Sequence, residues 1–107
     1  MRRGADYLDQ ELAFFPDRIV VRESGIQVMM AWERPLMERM AQIVAARRGD
    51  VLEIGFGMGL CASAIAQLSP RSYTVVEAHP QVIEKARLWA TTRANTRIVA
   101  GRWQDTL

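Results

Sequence analysis

Three glycines alternate behind a glutamate in the run Glu53-Ile54-Gly55-Phe56-Gly57-Met58-Gly59. Glycines admit positive φ and let a ligand touch the backbone. A helix starting just beyond such a loop presents free N–H groups, which suit a pyrophosphate or a carboxylate. The dinucleotide fingerprint G-x-G-x-x-G would place its third glycine at position 60. Leu60 stands there, and the third glycine is Gly59. Glu53, two residues before Gly55, would repel a pyrophosphate. A second acidic group, Glu77, lies 20 residues beyond Gly57. At the end of a strand it can accept two hydrogen bonds from ribose hydroxyls, by analogy with dinucleotide folds. The competing reading is a solvent-exposed glutamate. Other reactive side chains are few. The single histidine, His79, precedes Pro80 and is expected to cap a helix. The single cysteine, Cys61, falls in the first turn of the helix after the loop; a small buried side chain is expected there. One histidine and one cysteine do not make a zinc site of the usual spacing.

The elements that must position these groups follow from periodicity. Residues 50–54 read as a short apolar strand, 73–76 as a second rich in β-formers, and 96–100 as a third. Between them, Leu60, Ala64, Ile65 and Leu68 give a helix over 59–68, and Val82, Ile83, Ala86, Trp89 and Ala90 give one over 80–92, with Pro80 at its start. A preceding helix is expected over 34–47. Pro35 suits its first turn, Gly49 its end, and Leu36, Met37, Met40, Ile43 and Val44 form one stripe expected to be buried. Alternating helix and strand with short connections means parallel strands and crossover helices. The fold class is therefore α/β, the first half of a doubly wound Rossmann-like sheet with three parallel strands. Residues 101–105 read as a loop. Residues 1–25 read as an N-terminal arm or lid, with Leu8, Leu12, Phe14 and Phe15 in a short amphipathic helical turn and 18–22 extended.

Composition narrows the partners. The 107 residues fit one domain, and 50% hydrophobic residues suffice for a core. Net charge is +2, and Arg47-Arg48 is a pair with no interleaved aromatics, so a nucleic-acid partner is not expected. A lone cysteine permits no internal disulfide and suits a reducing cytoplasm. No apolar run approaches the ~20 residues that span a bilayer, and no signal peptide or membrane partner is expected.

The glycine run with Glu53 resembles motif I of class I S-adenosylmethionine (SAM)-dependent methyltransferases, in which the acidic residue holds the methionyl end of SAM. A longer resemblance covers roughly residues 26–107. Gln27-Val28-Met29-Met30-Ala31-Trp32-Glu33-Arg34-Pro35-Leu36-Met37, the Val51-to-Met58 segment, Val75-Val76-Glu77 and Gly101-Arg102-Trp103-Gln104-Asp105 are similar to the guanidinoacetate N-methyltransferase family. Related fungal and plant arginine N-methyltransferases share the Val-Met-Met-x-Trp-Glu cluster. The resemblance implies SAM as cofactor, S-adenosylhomocysteine as its product, and a small guanidino substrate. It places Met29 and Met37 on the SAM site, with Glu53 and Gly55. Phe56, Gly57, Met58, Gly59, Leu60 and Cys61 match the loop around the methionine portion. Glu77 matches the ribose ligand, Ala78 and His79 the backbone beside the adenosine, and Arg102 and Trp103 the adenine side. Core packing is the alternative for Trp103. Glu33 matches the catalytic-site carboxylate that grips the guanidinium, a planar fork that a carboxylate meets with paired bonds; a helix N-terminal signal is its alternative reading.

The family's second carboxylate follows a fourth strand, whereas this sequence runs to Leu107, past a third. The expectation is an N-terminal half whose first strand keeps an open edge, allowing homo-oligomers through that edge. Two further readings stand beside the methyltransferase: a non-catalytic SAM-binding half-domain, and a methyltransferase for another small acceptor. A nicotinamide enzyme is disfavoured by Leu60 and Glu53.

Overall fold

The computed structural model describes residues 7–106. Residues 1–6 of the expected arm, and Leu107, lie outside the described residues. The parallel sheet is as expected. Strands β4 (Asp50–Ile54), β5 (Ser72–Glu77) and β6 (Thr96–Ala100) pair in the order β4-β5-β6, all parallel. They alternate with α2 (Leu60–Gln67) and α3 (Pro80–Ala90). The register sets Ile54 beside Val76, and Glu77 beside Ala100. Two bonds continue it past the strand ends: Gly55 N–H donates to the Val76 carbonyl (2.8 Å) and Gly101 N–H to the Glu77 carbonyl (2.9 Å). Three loops therefore start level at the carboxyl end of the sheet, where open α/β sheets bind ligands.

The residues ahead of this sheet differ from expectation. Leu12–Phe15 is a strand (β1), not a helical turn; only Tyr7–Asp9 is helical, as one 3-10 turn. It pairs antiparallel with β2 (Arg18–Val21), which pairs with β3 (Gln27–Met30). The Leu8, Leu12, Phe15 spacing fits a helix, but a contact 69 residues away decides the outcome. The Gln81 side chain, in the first turn of α3, accepts from Leu12 N–H (2.6 Å) and donates to the Leu12 carbonyl (3.2 Å). Leu12, Ile19 and Val21 then share one buried cluster with Val51, Phe56, Ile65, Val75 and Val82.

A 3-10 turn (Ala31–Glu33) leads into α1 (Arg34–Val44), with Pro35 in its first turn as expected. The buried stripe does not hold. α1 packs against α2, and Ala41 and Ala45 are buried, whereas Leu36, Met40, Ile43 and Val44 are exposed and Met37 is half-buried. The spacing made a genuine apolar face, but the small Ala41 and Ala45 are the buried residues, with Met37 packed partly against the core. Met40 and Val44 of that stripe, with Met37, line the same cavity as Leu52 and Ile54 of β4, which are also exposed. β4 pairs on one side only among the described residues. Residues 103–105, expected in a loop over 101–105, fall in one helical turn, α4 (Trp103–Thr106).

Candidate functional site

The glycine loop is built to stay open. Gly55, Gly57 and Gly59 all take positive φ. At Gly57 (φ 57°) a Cβ would lie 2.5 Å from Met29 Sδ, so a side chain there would force Met29 to shift. That sulfur accepts the Met58 N–H at 3.2 Å, so Met29 of β3 is fastened to the loop. Phe56 folds under the loop, 5% exposed, with its ring edge-on to Trp89 of α3 (5.5 Å).

Glu77 is the fixed centre of the site. It is 8% exposed, and its carboxylate accepts three backbone N–H groups. Phe56 donates to Oε1 (2.7 Å), and Ala78 (3.1 Å) and His79 (3.0 Å) donate to Oε2. One side chain thus ties the glycine loop to the loop after β5. The exposed-glutamate alternative does not hold. A carboxylate offers roughly four acceptor positions, so one position remains for a ligand.

Glu53 points into the same region. Its carboxylate accepts the Tyr73 hydroxyl and bonds the Cys61 thiol. Burial raises its pKa above the ordinary carboxylate value; the Tyr73 and Cys61 hydrogen bonds oppose that rise, and the Glu77 charge adds to it. Burial, then the Glu53 charge, pushes the Cys61 thiol up to about 12, so the helix N-terminus does not activate it. Cys61 is a buried packing residue, as expected. Glu33 occupies the end of its 3-10 turn, and its Oε2 accepts the Met30 N–H at 2.8 Å. The helix-signal role is therefore real, and it coexists with a place on the cavity wall.

Two cavities meet at the strand ends. The larger, 610 Å³, is lined by Met29, Glu33, Met37, Glu53, Gly55, Phe56, Gly57, Cys61 and Glu77 among others. The smaller, 220 Å³, is lined by Ala78, Gly101, Arg102, Trp103 and Gln104, and shares Ile54, Gly55 and Glu77 with the first. Trp103 is 49% exposed, so core packing is not its role. Among the described residues, three carboxylates line the larger cavity, and no lysine, arginine or histidine does so. Such a wall favours a cation and disfavours phosphate.

Of the other expected residues, Leu60 is buried in the core, and Met58 reaches the site through its backbone N–H. Gly59 is the N-terminal cap of α2, its missing Cβ leaving space for the Phe56 ring. His79 caps α3 as expected, its Nδ1 accepting the Gln81 N–H, while Nε2 bonds the Gln10 carbonyl at 2.8 Å. Its side chain faces the arm; its backbone N–H faces Glu77. Sequence reasoning missed Tyr7. Its ring lies 4.9 Å from the His79 ring and lines the larger cavity. Burial and the Glu77 charge both raise its pKa. Nothing local to Tyr7 signals this; the Gln10–His79 and Leu12–Gln81 bonds bring it there.

A glycine loop after the first parallel strand and a buried carboxylate ending the second define a Rossmann-like α/β domain of the methyltransferase type. The chain belongs to the guanidinoacetate N-methyltransferase family, whose model matches residues 10–107. It is 36% identical over 108 residues to protein arginine N-methyltransferase 2 of Saccharomyces cerevisiae, covering 94% of this chain and 26% of that protein. The Aspergillus fumigatus protein of the same name is 40% identical over 103 residues, covering 94% and 24% respectively. The chain therefore spans about a quarter of the length of these relatives. Among the described residues no helix is long and apolar enough to cross a membrane.

Proposed function

We propose that this chain forms the SAM-binding part of an N-methyltransferase whose acceptor is a guanidino compound, such as guanidinoacetate or an arginine side chain. The observation that carries this reading is the cavity wall of Glu33, Glu53 and Glu77, with no cationic side chain among the described residues. Both SAM, with its sulfonium and ammonium groups, and a guanidinium are cations. The donor set fits SAM in a second respect: the remaining acceptor position on Glu77 suits a ribose hydroxyl. In this reading Glu53 holds the methionyl ammonium, directly or through water. Glu77 holds the ribose, and Met29 and Met37 flank the methionine portion. Ala78, His79, Arg102 and Trp103 surround the adenosine.

When bound, SAM supplies an electrophilic methyl group. The chain supplies position. A guanidinium nitrogen is a poor nucleophile, because its lone pair is delocalised. It must be oriented in line and relieved of a proton. Glu33 is suited to the first task. The Met30 N–H takes one acceptor position of its Oε2, and the others remain for a guanidinium fork.

Binding of guanidinoacetate and arginine to the chain saturated with S-adenosylhomocysteine tests the acceptor. Glu33→Gln keeps an acceptor for Met30 but removes the charge, and is expected to weaken guanidino binding about 30-fold or more, as truncated charge pairs do. Equal affinity in the variant would remove Glu33 from the acceptor site. Binding of an unrelated amine in place of any guanidino compound would replace the acceptor class.

A further inference from the structure

We infer that Tyr73 is a positioning residue for cofactor binding: its hydroxyl donates to Glu53 and orients that side chain on the cavity wall. The inference rests on the proposed role of Glu53 at the methionyl end of SAM and adds a residue that lies behind the cavity wall. Tyr73 is 2% exposed, in the middle of the core. It does not line the SAM-side cavity, so it acts through another group.

The geometry leaves its hydroxyl one purpose. The Tyr73 ring packs edge-on to Trp89 at 5.8 Å, and Trp89 packs edge-on to Phe56 at 5.5 Å. Trp89 is itself pinned by its indole N–H to Ser63 Oγ (3.1 Å). This aromatic column fixes the ring from behind. The hydroxyl emerges opposite it and donates to Glu53 Oε1. A core ring could do its packing as phenylalanine; the hydroxyl must be satisfied, and Glu53 satisfies it.

The groups facing Glu53 are few. From β5 come Tyr73 itself and, at the strand end, Glu77; from α2 comes Cys61. Glu33 and Tyr7 share the cavity wall. None is a cation. Burial and the Glu77 charge favour the protonated carboxyl, and only the two hydrogen bonds, with Tyr73 first, favour the carboxylate. The thiol is a weak donor. Tyr73 is therefore the main group that favours the charged form of Glu53 against its burial.

Tyr73→Phe retains the ring and loses the donor. The acid limb of the SAM-affinity profile, measured by calorimetry in the intact chain, is expected to move up by about one pH unit, because a hydrogen bond to a charged group is of that order. Below the wild-type midpoint, affinity falls roughly tenfold relative to wild type; well above it, the two agree within about twofold. A purely structural residue would lower affinity equally at every pH. Glu53→Gln serves as the reference and is expected to weaken SAM and flatten the limb in both backgrounds. If Glu53→Gln binds SAM as wild type does, the reading of Glu53 itself falls. If Glu53→Gln weakens SAM but the Tyr73→Phe limb superimposes on wild type, Glu53 stands and the Tyr73 inference is overturned. A second readout needs no variant. The Tyr73 hydroxyl proton should give a slowly exchanging NMR signal in the ligand-free chain that disappears as Glu53 protonates. A signal indifferent to that titration, or none at any pH, contradicts the inference.

Discussion

Glu77→Ala is expected to reduce SAM affinity at least 100-fold and to lower stability by about 3 kcal/mol, because orphaned buried donors cost ~1–3 kcal/mol each. Three amides lose their acceptor at once: Phe56, Ala78 and His79. Phe56 belongs to the glycine loop, and the other two to the loop after β5. Part of the penalty will be recovered as water enters the opened loops, so the sum of three full penalties is not expected. Amide hydrogen exchange separates the two roles of the side chain. Exchange at Phe56, Ala78 and His79 should accelerate together in Glu77→Ala, without ligand. Glu77→Gln is informative for another reason. Its amide NH₂ must face either Phe56 N–H or the Ala78 and His79 pair, and donor meets donor either way. Its affinity loss should therefore approach that of alanine. A glutamine variant that binds SAM like wild type would show that neither the charge nor the second oxygen matters.

The second large effect is expected at Gly57. Gly57→Val places a β-branched residue at φ 57°, with Cβ 2.5 Å from Met29 Sδ. The left-handed conformation alone costs ~1–2 kcal/mol for a residue with a Cβ. The contact adds to this, since Met29 can retreat only by giving up the Met58 N–H (3.2 Å) and shifting the cavity wall. Total destabilisation of about 2–3 kcal/mol and a loss of SAM binding beyond 100-fold are expected. A double-mutant cycle divides the effect. With Gly57→Ala, trimming Met29→Ala should restore the steric part of the loss and leave the backbone part, about 1 kcal/mol, in place. Strict additivity of the two substitutions would mean that Met29 does not meet the loop.

The parallel half of the molecule was legible because its signals are local. The strand boundaries Asp50–Ile54 and Thr96–Ala100 follow from short apolar runs between breakers. Pro35 and Pro80 marked their helix starts, since proline gives up only an N–H that would lack a partner there. Glu53 stood out two residues ahead of the first glycine, and Glu77 through its spacing of 20 residues from Gly57. The extended reading of 18–22 holds, but Leu12–Phe15 was misread because its conformation is decided from elsewhere. Leu12 becomes a strand residue through Gln81, and Tyr7 reaches the site through His79. The stripe on α1 shows another limit of periodicity. Spacing identified an apolar face correctly, yet Ala41 is buried while Leu36 and Ile43 stay exposed. The double duty of Glu33, capping a turn while lining a cavity, illustrates why two competing readings of one residue need not exclude each other.

The carboxylate-lined cavity is expected to take SAM and not a dinucleotide. Calorimetric titration of the folded chain with SAM, S-adenosylhomocysteine and NAD tests it most directly. One site that accepts SAM and S-adenosylhomocysteine, with no heat from NAD, is the predicted result. Binding of NAD, or no binding of either adenosyl compound to folded protein, would contradict it.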